Sequence, residues 1–192
     1  MTKTALYFGS FNPIHNGHLA IANYMVEYTD INRLWFIISP QNPFKKKKSL
    51  LADYHRYELA CRAIGKLEKY WVSNIEFNLP KPSYTTKTLA YLEEKYPKHK
   101  FVLIMGSDCL ATLNKWKNYE VIIENYEIYV YPRPNFKAEE FSNLENFIIT
   151  DAPQMEISSS FIRKSVKAKK DVRFFMPDSV WNYIEEMHFY ER

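Results

Sequence analysis

Gly9-Ser10-Phe11-Asn12-Pro13-Ile14-His15-Asn16-Gly17-His18 sets two imidazoles about one helical turn apart where an apolar run gives way to an amphipathic pattern. Two such rings on one side of a helix start can stabilise the negative charge that builds on a phosphoryl group during transfer. The elements that must hold them are legible on either side. Residues 4–8, Thr-Ala-Leu-Tyr-Phe, read as a buried strand, and Leu19, Ile21, Ala22, Met25 and Val26 recur on one helical face. Gly9 is expected to serve a tight turn, and Asn16-Gly17 to swing the chain into the helix. The first N–H groups of that helix add donors and a partial positive charge suited to phosphate oxygens. A strand-Gly-helix junction alone is more often only a packing turn, so the weight rests on the whole string.

Four further segments hold chemistry-bearing residues. In Ile157-Ser158-Ser159-Ser160-Phe161-Ile162-Arg163 the hydroxyls predict an N-cap and a second helix start, whose first turn carries Arg163 as a forked donor. Ser158 or Ser159 could equally be no more than a surface cap. Residues 101–105 read as a buried strand running into Gly106-Ser107-Asp108, where the carboxylate either reaches a ribose hydroxyl or caps the next helix. Trp116 is core or ligand platform, and its neighbours Lys115, Lys117 and Asn118 are polar. Pro40-Gln41-Asn42-Pro43-Phe44-Lys45-Lys46-Lys47-Lys48 is a cationic loop, either a solvated surface or a phosphate contact beyond a strand over 34–38.

Together these strings resemble one family. The first has the HxGH signature of the nucleotidyltransferase superfamily, in the GxFxPxHxGH form of nicotinate or nicotinamide mononucleotide adenylyltransferases. Residues 157–163 are similar to the superfamily's ISSTxIR element, and Pro82-Ser83-Tyr84-Thr85-Thr86-Lys87-Thr88-Leu89 to the family's PSYTxxTL element. The resemblance implies catalytic roles for His15, His18 and Arg163. It implies ATP contacts by Gly9, Ser10, Phe11, His15, His18, Gly106, Asp108, Arg133, Ser158, Ser160 and Arg163. Of these, Arg133 falls in Tyr131-Pro132-Arg133-Pro134, which resembles the family's Arg-Pro turn beside the adenine. It also implies mononucleotide contacts by Lys45, by a stacking Trp116, and by backbone N–H groups at Thr85 and Lys117. Lys87 departs from the pattern, since many relatives are acidic there.

The frame agrees. A chain of 192 residues with 46% hydrophobic content supports one sizeable core, expected as a single domain over 1–192. Apparent strands over 4–8, 34–38, 71–77, 101–105 and 126–130 alternate with helical patterns over 54–64 and 88–96. That alternation predicts an α/β, Rossmann-like doubly wound parallel sheet of about five or six strands, with a helical C-terminal subregion over 161–192. A formal net charge of +4 suits anionic substrates and falls short of a nucleic-acid-binding stripe. Cys61 and Cys109 cannot make a disulfide framework, and Met1-Thr2-Lys3 runs into a strand without a long apolar segment. No membrane association is expected, and the cytoplasm is the expected compartment.

The implied activity is transfer of AMP from ATP to nicotinate mononucleotide, giving nicotinate adenine dinucleotide and pyrophosphate, with Mg²⁺ arriving on ATP rather than in a protein-built cage. Nicotinamide mononucleotide or phosphopantetheine are alternative acceptors. A cytidylyltransferase would carry an RTxGIS-type second motif, which residues 157–163 do not resemble. A nucleotide-binding sensor on the same fold is the non-enzymatic alternative, and homo-oligomerisation stays open.

Overall fold

Alternation along the central strand decides how the layers form. Ala5 and Tyr7 face one side and Leu6 the other, each at most 4% exposed, so this strand needs cover on both faces. In the structure, a computed structural model describing residues 1–40, 50–80, 82–134, 136 and 144–191, that cover is provided by helices on both sides of one sheet. The strands are β1 (Thr2–Gly9), β2 (Arg33–Ile38), β3 (Tyr70–Ser73), β4 (His99–Gly106), β5 (Ile128–Tyr131) and β6 (Phe147–Ile149). They pair in the order β3-β2-β1-β4-β5-β6, parallel throughout. The order reverses between β1 and β4, and such a switch point opens a crevice beyond the strands' carboxyl ends.

The helices are α1 (Asn16–Tyr28), α2 (Asp53–Ile64), α3 (Thr85–Lys95), α4 (Ser107–Leu110), α5 (Tyr119–Asn125), α6 (Ser159–Lys167) and α7 (Asp178–Glu186). On one face Ala5, Tyr7, Phe36 and Ile104 pack with Ile21 and Met25 of α1, Leu59 of α2, Ile162 of α6 and Trp181 of α7. On the other, Leu6, Trp35, Ile37 and Leu103 pack with Leu89 and Leu92 of α3 and Ile122 of α5. Each fully buried Leu or Ile contributes about 1.5–3 kcal/mol.

The strand expected over 71–77 is shorter. It stops at Ser73, and Ile75–Asn78 form a 3₁₀ turn that buries Ile75 and Glu76. The hydroxyl of Ser73 accepts from the Ile75 N–H at 3.3 Å and turns the chain out of the sheet. The strand expected over 126–130 begins two residues later, at Ile128. The helix expected from residue 88 begins at Thr85, because Tyr84 is its N-cap and its carbonyl accepts from the N–H groups of Lys87 and Thr88.

Candidate active site

β1 ends at Gly9, and α1 begins after His15, its extended N-cap. Between them Phe11 has a φ of 43°, a left-handed conformation that costs a bulky residue on the order of 1 kcal/mol or more. Its buried ring offsets this by meeting Tyr7, His18 and Phe36 edge-on. A Cβ at Gly9 would lie 2.8 Å from that ring. Gly9 therefore makes room for Phe11 at a negative φ, rather than supplying the turn geometry expected of it.

The two imidazoles stack, with centroids 3.8 Å apart and planes at 29°. The His15 backbone N–H donates to His18 Nδ1 at 3.3 Å, so the proton of a neutral His18 ring sits on Nε2, a donor suited to a phosphate oxygen. His15 is 3% exposed, and its Nδ1 is buried without a hydrogen-bond partner among the described residues. Burial, then the nearby positive charge of Arg133, pushes the His15 imidazole down to about 4. Because an unfolded histidine titrates near 6.5, the unfolded chain binds a proton here that the folded chain refuses. Stability contributed by neutral His15 is complete above pH 6.5 and is lost as the pH falls towards 4, by up to about 3 kcal/mol. Urea titrations from pH 7.5 to 4.5 are expected to show a shallower acid loss in His15→Asn than in the natural chain; parallel curves would remove His15 as the cause.

The second helix start docks on this loop. Ser159 Oγ donates to the Pro13 carbonyl at 2.9 Å and Arg163 Nη1 to the Asn12 carbonyl at 2.8 Å. Arg163 Nη2 also donates to Ser160 Oγ at 3.3 Å, which orients Ser160 and the guanidinium together. Ser158 Oγ accepts from the Phe161 N–H at 3.1 Å, so this hydroxyl is the N-cap of α6.

At the end of β4, Asp108 folds back across Gly106. A Cβ there would collide with Asp108 Oδ1 and crowd Arg133 Cγ and Tyr131 Cε2, both at 3.1 Å. Asp108 lies in the first turn of α4, whose N-cap is Gly106. Arg133 Nε stands 3.9 Å from Asp108 Oδ1, close enough for attraction and too far for a hydrogen bond. Both atoms are buried without a hydrogen-bond partner among the described residues, and the Arg133 backbone N–H donates to Ser107 Oγ at 2.9 Å. His15 Nδ1, Asp108 Oδ1 and Arg133 Nε thus leave polar capacity that a polar ligand would satisfy.

Thr85 opens α3, and Lys117 Nζ lies 4.6 Å from the ring centre of the preceding Tyr84, which brings together the two backbone segments expected to meet the pyridine ring. Trp116, next to Lys117 in the chain, is half-buried and rests against the core face that includes Leu113 and Leu89. Lys45 lies outside the described residues, as do the neighbouring lysines 46–48.

The cytidylyltransferase-like family model matches residues 6–165. The probable nicotinate-nucleotide adenylyltransferase of Christiangramia forsetii is 53% identical over 194 residues, covering 98% of each chain. That of Flavobacterium johnsoniae is 50% identical over 99% of this chain and 100% of its own. The chain belongs to the nicotinate-nucleotide adenylyltransferases of the cytidylyltransferase-like family. Its fold also matches the solved Plasmodium falciparum nicotinic acid mononucleotide adenylyltransferase complexed with NaAD, with a TM-score of 0.84 over 100% of this chain and 98% of that one at 21% identity.

Within this family architecture, residues that the sequence motifs pass over hold the loops in place. Fully buried Arg56 of α2 donates to the carbonyls of Ser10, Ser39, Pro40 and Leu51 and to Asp53. Asn12 Oδ1 accepts from the Tyr190 hydroxyl at 2.9 Å and from the Leu51 N–H at 3.2 Å. The C-terminal segment and the α2 entry are therefore both fastened to the histidine loop. A phosphate chain lying between the starts of α1 and α6 would meet two helix N-termini, two imidazoles and a guanidinium, a set suited to neutralising a migrating negative charge.

Proposed function

We propose that the chain joins the AMP moiety of ATP to nicotinate mononucleotide, forming nicotinate adenine dinucleotide and pyrophosphate in NAD biosynthesis. The observation that carries this reading is the convergence of the two helix starts, fastened by Ser159 and Arg163 on the loop that presents His15 and His18. A 5′-phosphate oxygen attacks the α-phosphorus of ATP in line. The new P–O bond forms as the bond from the α-phosphorus to the α,β-bridging oxygen breaks, and pyrophosphate carries that electron pair away. A phosphate is already a competent nucleophile near neutral pH, so alignment and charge neutralisation carry the catalysis. His18 and His15 with the α1 start face the reacting phosphates, Arg163 and Ser160 steady the leaving pyrophosphate, and Asp108 with Arg133 engages the nucleoside. Trp116, with the Thr85 and Lys117 backbone, receives the pyridine ring.

We assign Mg²⁺ to the MgATP substrate, whose phosphate oxygens suit this ion. No helix among the described residues is long and apolar enough to cross a membrane.

Pyrophosphate release from ATP is expected to be fastest with nicotinate mononucleotide when compared with nicotinamide mononucleotide and phosphopantetheine. CTP with choline phosphate is expected to be inert. A preference for that last pair would overturn the reading, and ATP binding without any pyrophosphate release would favour a sensor.

A further inference from the structure

Glu76 is a carboxylate in an unusual place. It is 2% exposed in the 3₁₀ turn after β3, yet none of the chemistry above uses it. Its two oxygens are divided between the sides of one short segment. Thr88 Oγ1 donates to Oε1 at 2.8 Å, and Ser83 Oγ donates to Oε2 at 3.1 Å. The Ser39 side chain, beyond the end of β2, lies near enough to favour the ionised carboxylate. Burial pushes the Glu76 carboxyl up, while the three hydroxyls hold it down.

These bonds have a directional consequence. Ser83 and Thr88 flank Tyr84 and Thr85, the N-cap and first residue of α3, and the Tyr84 ring is the surface on which Lys117 Nζ rests. Ser39 is anchored independently, since its N–H donates to the Gly9 carbonyl and its carbonyl accepts from Arg56 Nη1, both at 2.9 Å. Glu76 therefore ties the two sides of the α3 entry to the end of β3, beside a β2 end that is itself bonded to the histidine loop. A carboxylate accepts hydrogen bonds through both oxygens; a carboxamide of the same shape accepts through one and must donate through the other.

We propose that Glu76 is a positioning residue for the acceptor mononucleotide: by accepting from Ser83 and Thr88 at once, it sets the Tyr84–Thr85 backbone against the Trp116–Lys117 segment. This rests on the assignment of those segments to the pyridine ring. Misplacing that backbone weakens mononucleotide binding and leaves ATP binding intact, because the Ser39 N–H to Gly9 bond is main-chain and survives.

The test is steady-state kinetics of Glu76→Gln, Thr88→Val and Ser83→Ala, with Trp116→Ala as the subsite control. Glu76→Gln is expected to raise KM for nicotinate mononucleotide about tenfold, the equivalent of one well-oriented hydrogen bond, with KM for ATP and kcat each within about threefold. Thr88→Val and Ser83→Ala should move the same KM in the same direction, which keeps the test available if Glu76→Gln does not fold. Thr88→Ser, which restores the hydroxyl, should return KM to near its natural value. A lower melting temperature with both KM values unchanged would make Glu76 merely structural and overturn the proposal, as would equal rises in both KM values. If Trp116→Ala leaves the mononucleotide KM unchanged, the subsite assignment itself fails; if Trp116→Ala raises it and the Glu76, Ser83 and Thr88 variants do not, only the role of Glu76 fails.

Discussion

His18→Ala is expected to lower kcat about 10²- to 10³-fold, with the mononucleotide KM within about threefold and the melting temperature within about 4 °C of the natural chain. The large effect follows from placement. The ring stacks on buried His15, its Nδ1 accepts from the His15 backbone, and its edge meets Phe11 and Tyr7. Each contact fixes the imidazole before substrate arrives, so the Nε2 donor needs no reorganisation as charge builds on the phosphates. Preorganised donors of this kind contribute about 3–4 kcal/mol to the transition state. The small stability effect follows because His18 is only part-buried, and its main-chain partner, the His15 N–H, lies at a helix start where another acceptor can replace Nδ1. Single-turnover rates with both substrates saturating measure the chemical step directly. A rate within about fivefold of the natural one would remove His18 from the catalytic set.

What could be read in advance, and what could not, divides on whether the signal is local. The histidine loop announces itself because strand, Gly, turn residues and helix periodicity lie within one short stretch, and the order of βα units follows from alternation alone. The Ser159 start of α6 was similarly visible from its hydroxyls, although which serine caps the helix depended on the side-chain geometry that assigns Ser158 to Phe161. The misread strand over 71–77 failed for a physical reason. Trp71 to Phe77 is apolar enough for a strand, but the Ser73 hydroxyl bonds the Ile75 N–H and Glu76 turns inward to the hydroxyls of Ser83 and Thr88. A buried acid or arginine carries no periodic mark of its burial. Arg56, on an otherwise amphipathic helix, reads as a surface cation, and its partners lie on segments that only the folded sheet brings together. Tyr190 reaches Asn12 across almost the whole length of the chain, and no spacing rule connects them. The residues that would touch substrate were therefore more legible than those that hold them in place.

Arg56→Met is expected to produce the largest loss of stability of any single change outside the aliphatic core, about 3–5 kcal/mol, or on the order of 10 °C in melting temperature. The methionine can fill much of the volume, so packing is not the main loss. The loss lies in four carbonyls, at Ser10, Ser39, Pro40 and Leu51, which would keep their burial and lose a charged donor, together with the Asp53 carboxylate. Burial already holds the Arg56 guanidinium below its ordinary pKa, and Asp53 opposes that shift, so the cation is costly to bury and more costly to delete once its acceptors are committed. Arg56→Lys keeps the charge but replaces a planar fork with a compact ammonium that has three donors, and a smaller loss of about 2 kcal/mol is expected. The same bonds link α2 to the Ser10 end of the histidine loop and to the chain on either side of residues 41–49. Activity measured well below both melting temperatures should consequently fall in Arg56→Met, through kcat and the KM for ATP together, because Ser10 shifts relative to His15 and His18. Denaturant unfolding with matched m-values measures the stability loss, and a melting temperature within 2 °C of the natural chain would show that water replaces the guanidinium at all four carbonyls.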